Sequence, residues 1–193
     1  MMVRQYSPQI GILRYNAGNV GSVQRALARL QIPSQIIEKP AELESVSGII
    51  FPGAGAAGSA MQRLSELGWT DSIRSCIKPF LGLCLGMQLL FDYSEENETE
   101  CLGIIKGIVK ELPNTLTKPH MGWNKLNTGE YAYFVHSFVC EPDDRSVVTM
   151  YTTYGQNVCA GVQKNNFFGL QWHPEKSGDA GDRYLLSFAD LCK

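Results

Sequence analysis

In its first half the chain repeatedly passes from a short, unbroken apolar stretch into a segment with helical periodicity. QIGILRY leads into NVGSVQRALARL, PSQIIE and SGIIFPG lead into AAGSAMQRLSELG, and KPFLGLCLG leads into GMQLLFDYSEE. Apolar runs without polar alternation suit strands covered on both faces, and helices of about 10 residues between them suit right-handed parallel crossovers. A parallel sheet wrapped by helices is expected. In the second half IIKGIVKEL, EYAYFVHSFVCEP, VVTMYTTYG, VCAGVQK and FFGLQWH follow one another through short turns such as TGE and KNN. This spacing predicts antiparallel strands added beside or onto the parallel core. DRYLLSFADLC sets Tyr184, Leu185, Phe188, Leu191 and Cys192 along one face and predicts a closing amphipathic helix. The expected fold class is α/β, with a central mostly parallel sheet flanked by helices and an antiparallel extension. A length of 193 residues fills one core and hardly two, so a single domain over 1–193 is expected.

Composition narrows the partners. Apolar residues make up 44% and charged residues 19%, ordinary values for a globular chain, and the formal charge is -2. That balance predicts no nucleic acid and no anionic membrane as partner, which leaves small molecules and proteins. The N-terminal MMVRQYSPQIGILRY lacks the apolar core of a signal peptide, and no stretch approaches the roughly 20 apolar residues of a membrane span. A cytoplasmic location is expected. The six cysteines are scattered without a CxxC pair, and there are only three histidines. Five of the cysteines read as reduced small hydrophobes, and no metal site is expected.

The sixth cysteine is different. In LGLCLGMQLL, Gly82, Cys84 and Gly86 make G-x-C-x-G where a strand pattern turns into a helical one. This is the cysteine counterpart of the G-x-S-x-G elbow, in which the nucleophile sits on a strained turn and the next N–H, here that of Leu85, faces a developing oxyanion. A helix opening at Gly86 directs its positive end at the sulfur and favours the thiolate. A buried cysteine in a tight connection is the plain alternative. A cysteine nucleophile needs a base. His120 lies in KPHMGWN and His136 in YFVHSFV, whereas His173 ends a strand in LQWHPEKS with Glu175 two residues on. Pro174 fixes the backbone between them, so Glu175 can hold one ring nitrogen while the other faces Cys84. FPGAGAAGSAM, with Pro52, Gly53, Gly55 and Gly58, offers backbone N–H groups for a second oxyanion donor. A phosphate cradle is the weaker reading because the P-loop lysine is missing, and an ordinary glycine-rich turn stays open. Met121 and Trp123, in what reads as a polar, glycine-containing loop, fit either interface anchors or a local core satellite.

PFLGLCLGMQLLF with HPE downstream resembles the class I (triad) glutamine amidotransferases, whose domain is a flavodoxin-like α/β structure. Within that class the motifs resemble those of the glutaminase subunits of imidazole glycerol phosphate synthases. Pro52 to Met61 match PGxGA(x)GxAM, Pro119 to Asn124 match PHMGWN, Tyr133 to Phe138 match a YFVHSY-like strand, and His173 to Ser177 match HPEKS. Tyr15 to Asn19, YNAGN, resemble YGxGN. The resemblance implies that Cys84 attacks the carboxamide carbon of glutamine, that His173 moves the protons and that Glu175 orients His173. It implies oxyanion donors at Leu85 and around Ala54 and Gly55, and glutamine held by Gly55, Gln88, Ser137 and Phe138. It implies no metal and no organic cofactor. It also implies a (β/α)8-barrel cyclase as heterodimer partner in histidine biosynthesis, contacted by Pro119, Met121, Trp123, Tyr133 and Lys176.

The alternative is a paralogous amidotransferase subunit that supplies a different synthase, such as a sugar-aminating enzyme. A noncatalytic scaffold subunit and a cysteine protease rank lower, because the intact Cys84, His173 and Glu175 argue against the first and no peptide cleft is legible for the second. The pattern departs from the family at RYNAGN, at Ala54 and Ala57 in place of bulkier residues, at Trp172 in place of phenylalanine and at Phe138 in place of tyrosine. None of these removes a catalytic atom, but the small residues at Ala54 and Ala57 bear on how the oxyanion turn moves.

Overall fold

The structure, a computed structural model, describes residues 9–15 and 19–193. The first half gives β1 (Ile10–Leu13), α1 (Val20–Arg29), β2 (Ser34–Ile37), β3 (Gly48–Gly53), α2 (Ala57–Glu66), α3 (Trp69–Arg74), β4 (Phe80–Cys84) and α4 (Leu85–Gln88). The second half gives β5 (Tyr93–Ser94), β6 (Thr99–Glu100), β7 (Gly107–Glu111), β8 (His120–Lys125), β9 (Tyr131–His136), β10 (Phe138–Pro142), β11 (Val148–Tyr154), β12 (Gln156–Lys164), β13 (Phe167–Leu170) and α5 (Gly178–Leu191).

The main sheet has the order β11-β12-β13-β4-β3-β1-β2. Five neighbours, β2, β1, β3, β4 and β13, run parallel. β12 and β11 add to them antiparallel. FFGLQWH was expected among the antiparallel additions and instead supplies a strand of the parallel core. β13 turns back from β12 through Asn165 and Asn166 and therefore runs with β4. This placement matters because β3, β4 and β13 end along the same edge. Gly53 pairs with Cys84 and Leu170 with Leu83.

Side-chain alternation divides the core. Phe51, Phe80, Leu13 and Ile49 face one side with Trp69, Met87, Leu90 and Phe91. Ile10, Ile12, Ile50, Leu81 and Leu83 face the other with Trp172, Leu185 and Phe188 of the C-terminal segment. Two small sheets complete the structure, β10-β7-β5-β6 and the hairpin β8-β9.

Four local expectations are corrected. GMQLLFDYSEE is helical only over Leu85–Gln88. Leu89, Leu90 and Phe91 are all fully buried, so no polar face remains, and their carbonyls accept from the N–H groups of Leu102, Gly103, Ile104 and Ile105 rather than continuing a helix. EYAYFVHSFVCEP is two strands broken at Ser137, because β9 pairs with β8 while β10 pairs with β7. PHMGWN is not a loop, since His120–Lys125 form β8. In α5 Leu191 is 55% exposed while Leu185, Phe188 and Cys192 are buried, so Leu191 lies off the apolar face that the other three share.

Close packing at the start of α4 makes a sharp test. A Cβ on Gly86 would lie 2.0 Å from the Phe51 carbonyl oxygen, whereas one on Gly21 in α1 would meet only the mobile end of Arg25 at 3.3 Å. Gly86→Ala is expected to abolish folding or lower the melting temperature steeply, and Gly21→Ala to raise stability by up to about 1 kcal/mol through helix propensity. Thermal melts of the two variants against the unaltered chain check this.

Candidate active site

Cys84 ends β4 and bears φ 53, ψ −111, a backbone region that non-glycine residues rarely enter. Its flanking glycines explain how it gets there. A Cβ on Gly82 would fall 2.5 Å from the Gly86 carbonyl, and one on Gly53 would fall 2.2 Å from Gly86 N. The chain thus folds back over its own strand and against β3 at distances that admit no side chain. Leu85 opens the helical turn, so its N–H has no partner in that turn. The helical segment expected to open at Gly86 opens at Leu85 and is one turn long. The thiol donates to the Val135 carbonyl at 3.7 Å and receives from Gln171 Nε2 at 3.7 Å.

His173 lies three residues beyond the end of β13, beside the end of β4. Its Nδ1 is 2.8 Å from Glu175 Oε1, and Glu175 is almost fully buried. The turn that carries the pair is fastened to the hairpin: His173 N–H donates to the Tyr133 carbonyl (2.9 Å), Ser177 Oγ donates to the His173 carbonyl (2.6 Å), and Tyr133 N–H donates to Ser177 Oγ (3.0 Å). Burial lowers the affinity of the imidazole for its proton, but Cys84 and Glu175 together outweigh it and raise His173 to about 9. Nε2 is buried and has no hydrogen-bond partner among the described residues.

The other two histidines are spoken for. His136 Nδ1 donates to the Phe138 carbonyl (2.9 Å), which makes its Nε2 the acceptor for His120 Nδ1 (3.0 Å); His120 Nε2 then accepts from Asn124 Nδ2 (3.2 Å). His120 is stacked between Phe134 and Tyr154 at 4.8 and 4.0 Å. Burial, with His120 adding to it and the Phe138 carbonyl opposing, pushes His136 down to about 3, and burial lowers His120. Both rings stay neutral and committed, whereas His173 keeps one ring nitrogen, Nε2, without a hydrogen-bond partner.

A cavity of about 430 Å³ gathers most of the residues singled out in the sequence. Cys84, Leu85, His173, Ala54, Gly55, Gln88, Ser137 and Phe138 line it, as do Pro119 and Lys176. Gly55 has φ 91, so the turn after β3 does use a glycine-favouring backbone. Gln88 Nε2 donates to the Phe138 carbonyl at 3.0 Å. Met121, Trp123 and Tyr133 are not in the cavity. They share the outer face of the hairpin, where Met121 and Trp123 are 65% and 58% exposed, Trp123 pairs with Tyr133, and Lys176 sits 5.6 Å above the Tyr133 ring. Of YNAGN, residues 16–18 lie outside the described residues; Asn19 caps α1 and lines the cavity.

Two residues of the site escaped the sequence reading. Glu96 lines the cavity, and its Oε2 accepts from Ala57 N–H at 2.7 Å. The signal was the start of α2, where Ala56 has no side chain able to cap the helix, so an acceptor had to come from elsewhere. Gln171 is fully buried and joins Gln88 to Cys84. Its signal was a lone amide in the apolar run FFGLQWH. Among the described residues no group of three or more His, Cys, Asp or Glu is arranged to hold a metal ion, and no helix is long and apolar enough to cross a membrane.

A thiol on a strained elbow beside a carboxylate-held imidazole, at the end of a mostly parallel sheet, is the arrangement of a cysteine amidohydrolase. The chain belongs to the class-I glutamine amidotransferase family, whose model matches residues 13–190. Its curated relatives include the imidazole glycerol phosphate synthase subunit HisH of Desulfovibrio desulfuricans, 41% identical over 95% of both chains. The HisH subunits of Moorella thermoacetica and Exiguobacterium sibiricum are 40% and 43% identical over 95% and 94% of both chains. The chain is thus similar over nearly its full length to the glutaminase subunits of imidazole glycerol phosphate synthase. Among solved structures, a glutamine amidotransferase crystal structure superposes with a TM-score of 0.79 at 21% identity, covering 95% of this chain and 98% of that one. PurLQS from Thermotoga maritima superposes with 0.73 at 20% identity, covering 96% and 99%. At that identity the structures speak for the fold.

The raised His173 has a pH signature. Its protonated form stabilises the fold fully below the unfolded value of about 6.5, and that contribution is lost as pH rises through about 9. NMR titration of the His173 ring is expected to show imidazolium persisting above pH 7.5 in the unaltered chain. In Glu175→Gln and in Cys84→Ala the midpoint is expected to fall, because burial then acts with one raising partner removed.

Proposed function

We propose that the chain, as a single amidotransferase domain, hydrolyses glutamine through a thioester on Cys84 and passes the ammonia to a cyclase partner. The observation that carries this reading is the His173–Glu175 pair held beside Cys84, with a raised imidazole whose second nitrogen is unengaged. Cys84 passes its thiol proton to His173 Nε2, and the resulting thiolate sulfur adds to the carboxamide carbon of glutamine. The oxyanion meets the Leu85 N–H and a backbone N–H at Ala54 or Gly55, and the imidazolium of His173 gives its Nε2 proton to the departing nitrogen as the C–N bond breaks. His173, now neutral, takes a proton from water, the hydroxide adds to the thioester carbon, and collapse releases glutamate with the sulfur as leaving group. Glu175 keeps Nδ1 protonated, so Nε2 is the nitrogen that exchanges protons.

The cavity suits an α-amino acid. Gln88 and the main chain of Ser137 and Phe138 offer polar groups for the carboxamide and the backbone of the substrate, and the Glu96 carboxylate suits its ammonium. The same carboxylate caps α2, so substrate binding and the oxyanion turn share one side chain.

The hairpin face of Met121, Trp123, Tyr133 and Lys176, with Pro119 in the cavity, is the surface read as the interface for a (β/α)8-barrel cyclase. Exposed methionine and tryptophan beside a half-buried tyrosine fit a buried interface centre. The location fits delivery, because Tyr133 bonds His173 and Ser177 through its backbone and Val135, two residues on, touches the sulfur. The complex is read as cytoplasmic.

Glutamate release by the chain alone, then with the barrel cyclase of the same genome and its nucleotide substrate, tests the reading. A large rise on mixing is expected, lost entirely in Cys84→Ala and reduced roughly 10²–10⁴-fold in Glu175→Gln. Synthesis from added ammonium by the Cys84→Ala complex is expected to persist. No rise on mixing, with Cys84 intact, would reassign the ammonia to another synthase; glutamine-dependent synthesis by Cys84→Ala would overturn the mechanism.

A further inference from the structure

Gln171 is fully buried one residue beyond β13, and Cys84 is one residue beyond its register partner Leu83, because Leu170 pairs with Leu83. The two side chains therefore emerge from adjacent strands at the same level. Fixed acceptors orient every amide between them. The Phe138 carbonyl can only accept, and it takes one hydrogen from His136 Nδ1 and one from Gln88 Nε2. The amide group of Gln88 that faces it also donates to Gln171 Oε1 at 3.0 Å. With its oxygen so engaged, Gln171 must present Nε2 to the Cys84 sulfur, at 3.7 Å. The second contact of the sulfur, with the Val135 carbonyl, requires a proton on sulfur. The two contacts favour opposite states: the carbonyl suits the thiol, and the amide donor suits the thiolate.

We infer that Gln171 is a further catalytic residue, whose amide donates to the Cys84 sulfur when it is anionic, before attack and again as it leaves the thioester carbon. Gln88 is the positioning residue that keeps the Gln171 amide turned the right way. When the sulfur bonds carbon its negative charge is gone and the donor contact weakens; when the tetrahedral intermediate of hydrolysis collapses, the C–S bond breaks, sulfur takes the electron pair, and the contact strengthens. The interaction is thus greatest in the states that bear charge on sulfur.

The inference rests on Cys84 as nucleophile, and its test needs neither glutamine nor a partner, so glutamine turnover by the unaltered chain remains a separate measure of that reading. The measurement is the rate of Cys84 alkylation by iodoacetamide against pH in the full chain, with the modified cysteine located by peptide mapping and folding checked by melting temperature. Gln171→Met, which keeps the bulk and removes the donor, is expected to displace the profile to higher pH, with a rate at pH 7 roughly tenfold lower and an unchanged plateau at high pH. Gln171→Glu, which turns an acceptor toward the sulfur, is expected to displace it further. Should the Gln171 variants not fold, Gln88→Leu carries the test by freeing the Gln171 amide, with a smaller displacement in the same direction. Profiles that superimpose on that of the unaltered chain, or a lowered plateau without displacement, would overturn the role.

Discussion

The site depends on the closeness of two backbones, Gly86 against the Phe51 carbonyl. That contact forces the chain leaving β4 to fold back at once, and Cys84 absorbs the reversal at φ 53. Such a conformation costs roughly 1–3 kcal/mol. It is offset because the turn it creates buries Met87, Leu89, Leu90 and Phe91 completely, each contributing about 1.5–3 kcal/mol. The core thus outweighs the strain several times over. Any residue larger than glycine at position 86 removes both at once, which is why the strained placement of Cys84 and the core cannot be separated.

A second dependence ties chemistry to the outer surface. The turn holding His173 and Glu175 is anchored through Tyr133 and Ser177 to β9, and the same strand offers the Val135 carbonyl to the sulfur. The inner face of this hairpin carries the neutral His120–His136 pair, whose last bond ends on the Phe138 carbonyl; that carbonyl also orients Gln88 and, through it, Gln171. A partner pressing on Met121 and Trp123 therefore presses on a strand pair with three hydrogen-bonded routes to the reacting groups. Neutral imidazoles suit this task better than charged ones, because each nitrogen has one defined role as donor or acceptor and keeps it across physiological pH.

The first half of the fold was legible because each strand and helix is continuous and has one period: GIIFPG is apolar throughout and VQRALARL repeats on one face. The second half was less so, since EYAYFVHSFVCEP keeps a strand pattern through Ser137 while its two halves pair with different sheets, a choice made by contacts remote in sequence. FFGLQWH likewise gives no sign that it lies beside β4. Yet that position is what brings His173 to Cys84, so the pairing of the two motifs had to come from their chemistry and from family resemblance. Gln171 and Glu96 were missed for a related reason. Each acts through a partner across the fold, and only the three-dimensional register shows that Gln171 meets Cys84 or that Glu96 supplies the cap Ala56 lacks.

The account turns on a covalent bond to one sulfur among six cysteines, and that bond is directly observable. Acid-quenching the chain with the proposed cyclase partner during glutamine turnover, followed by mass spectrometry of its peptides, is predicted to show a glutamyl adduct on the peptide bearing Cys84, increased when Glu175→Gln slows hydrolysis. Steady glutamate formation with no adduct on Cys84, or with the adduct on another cysteine, would contradict it.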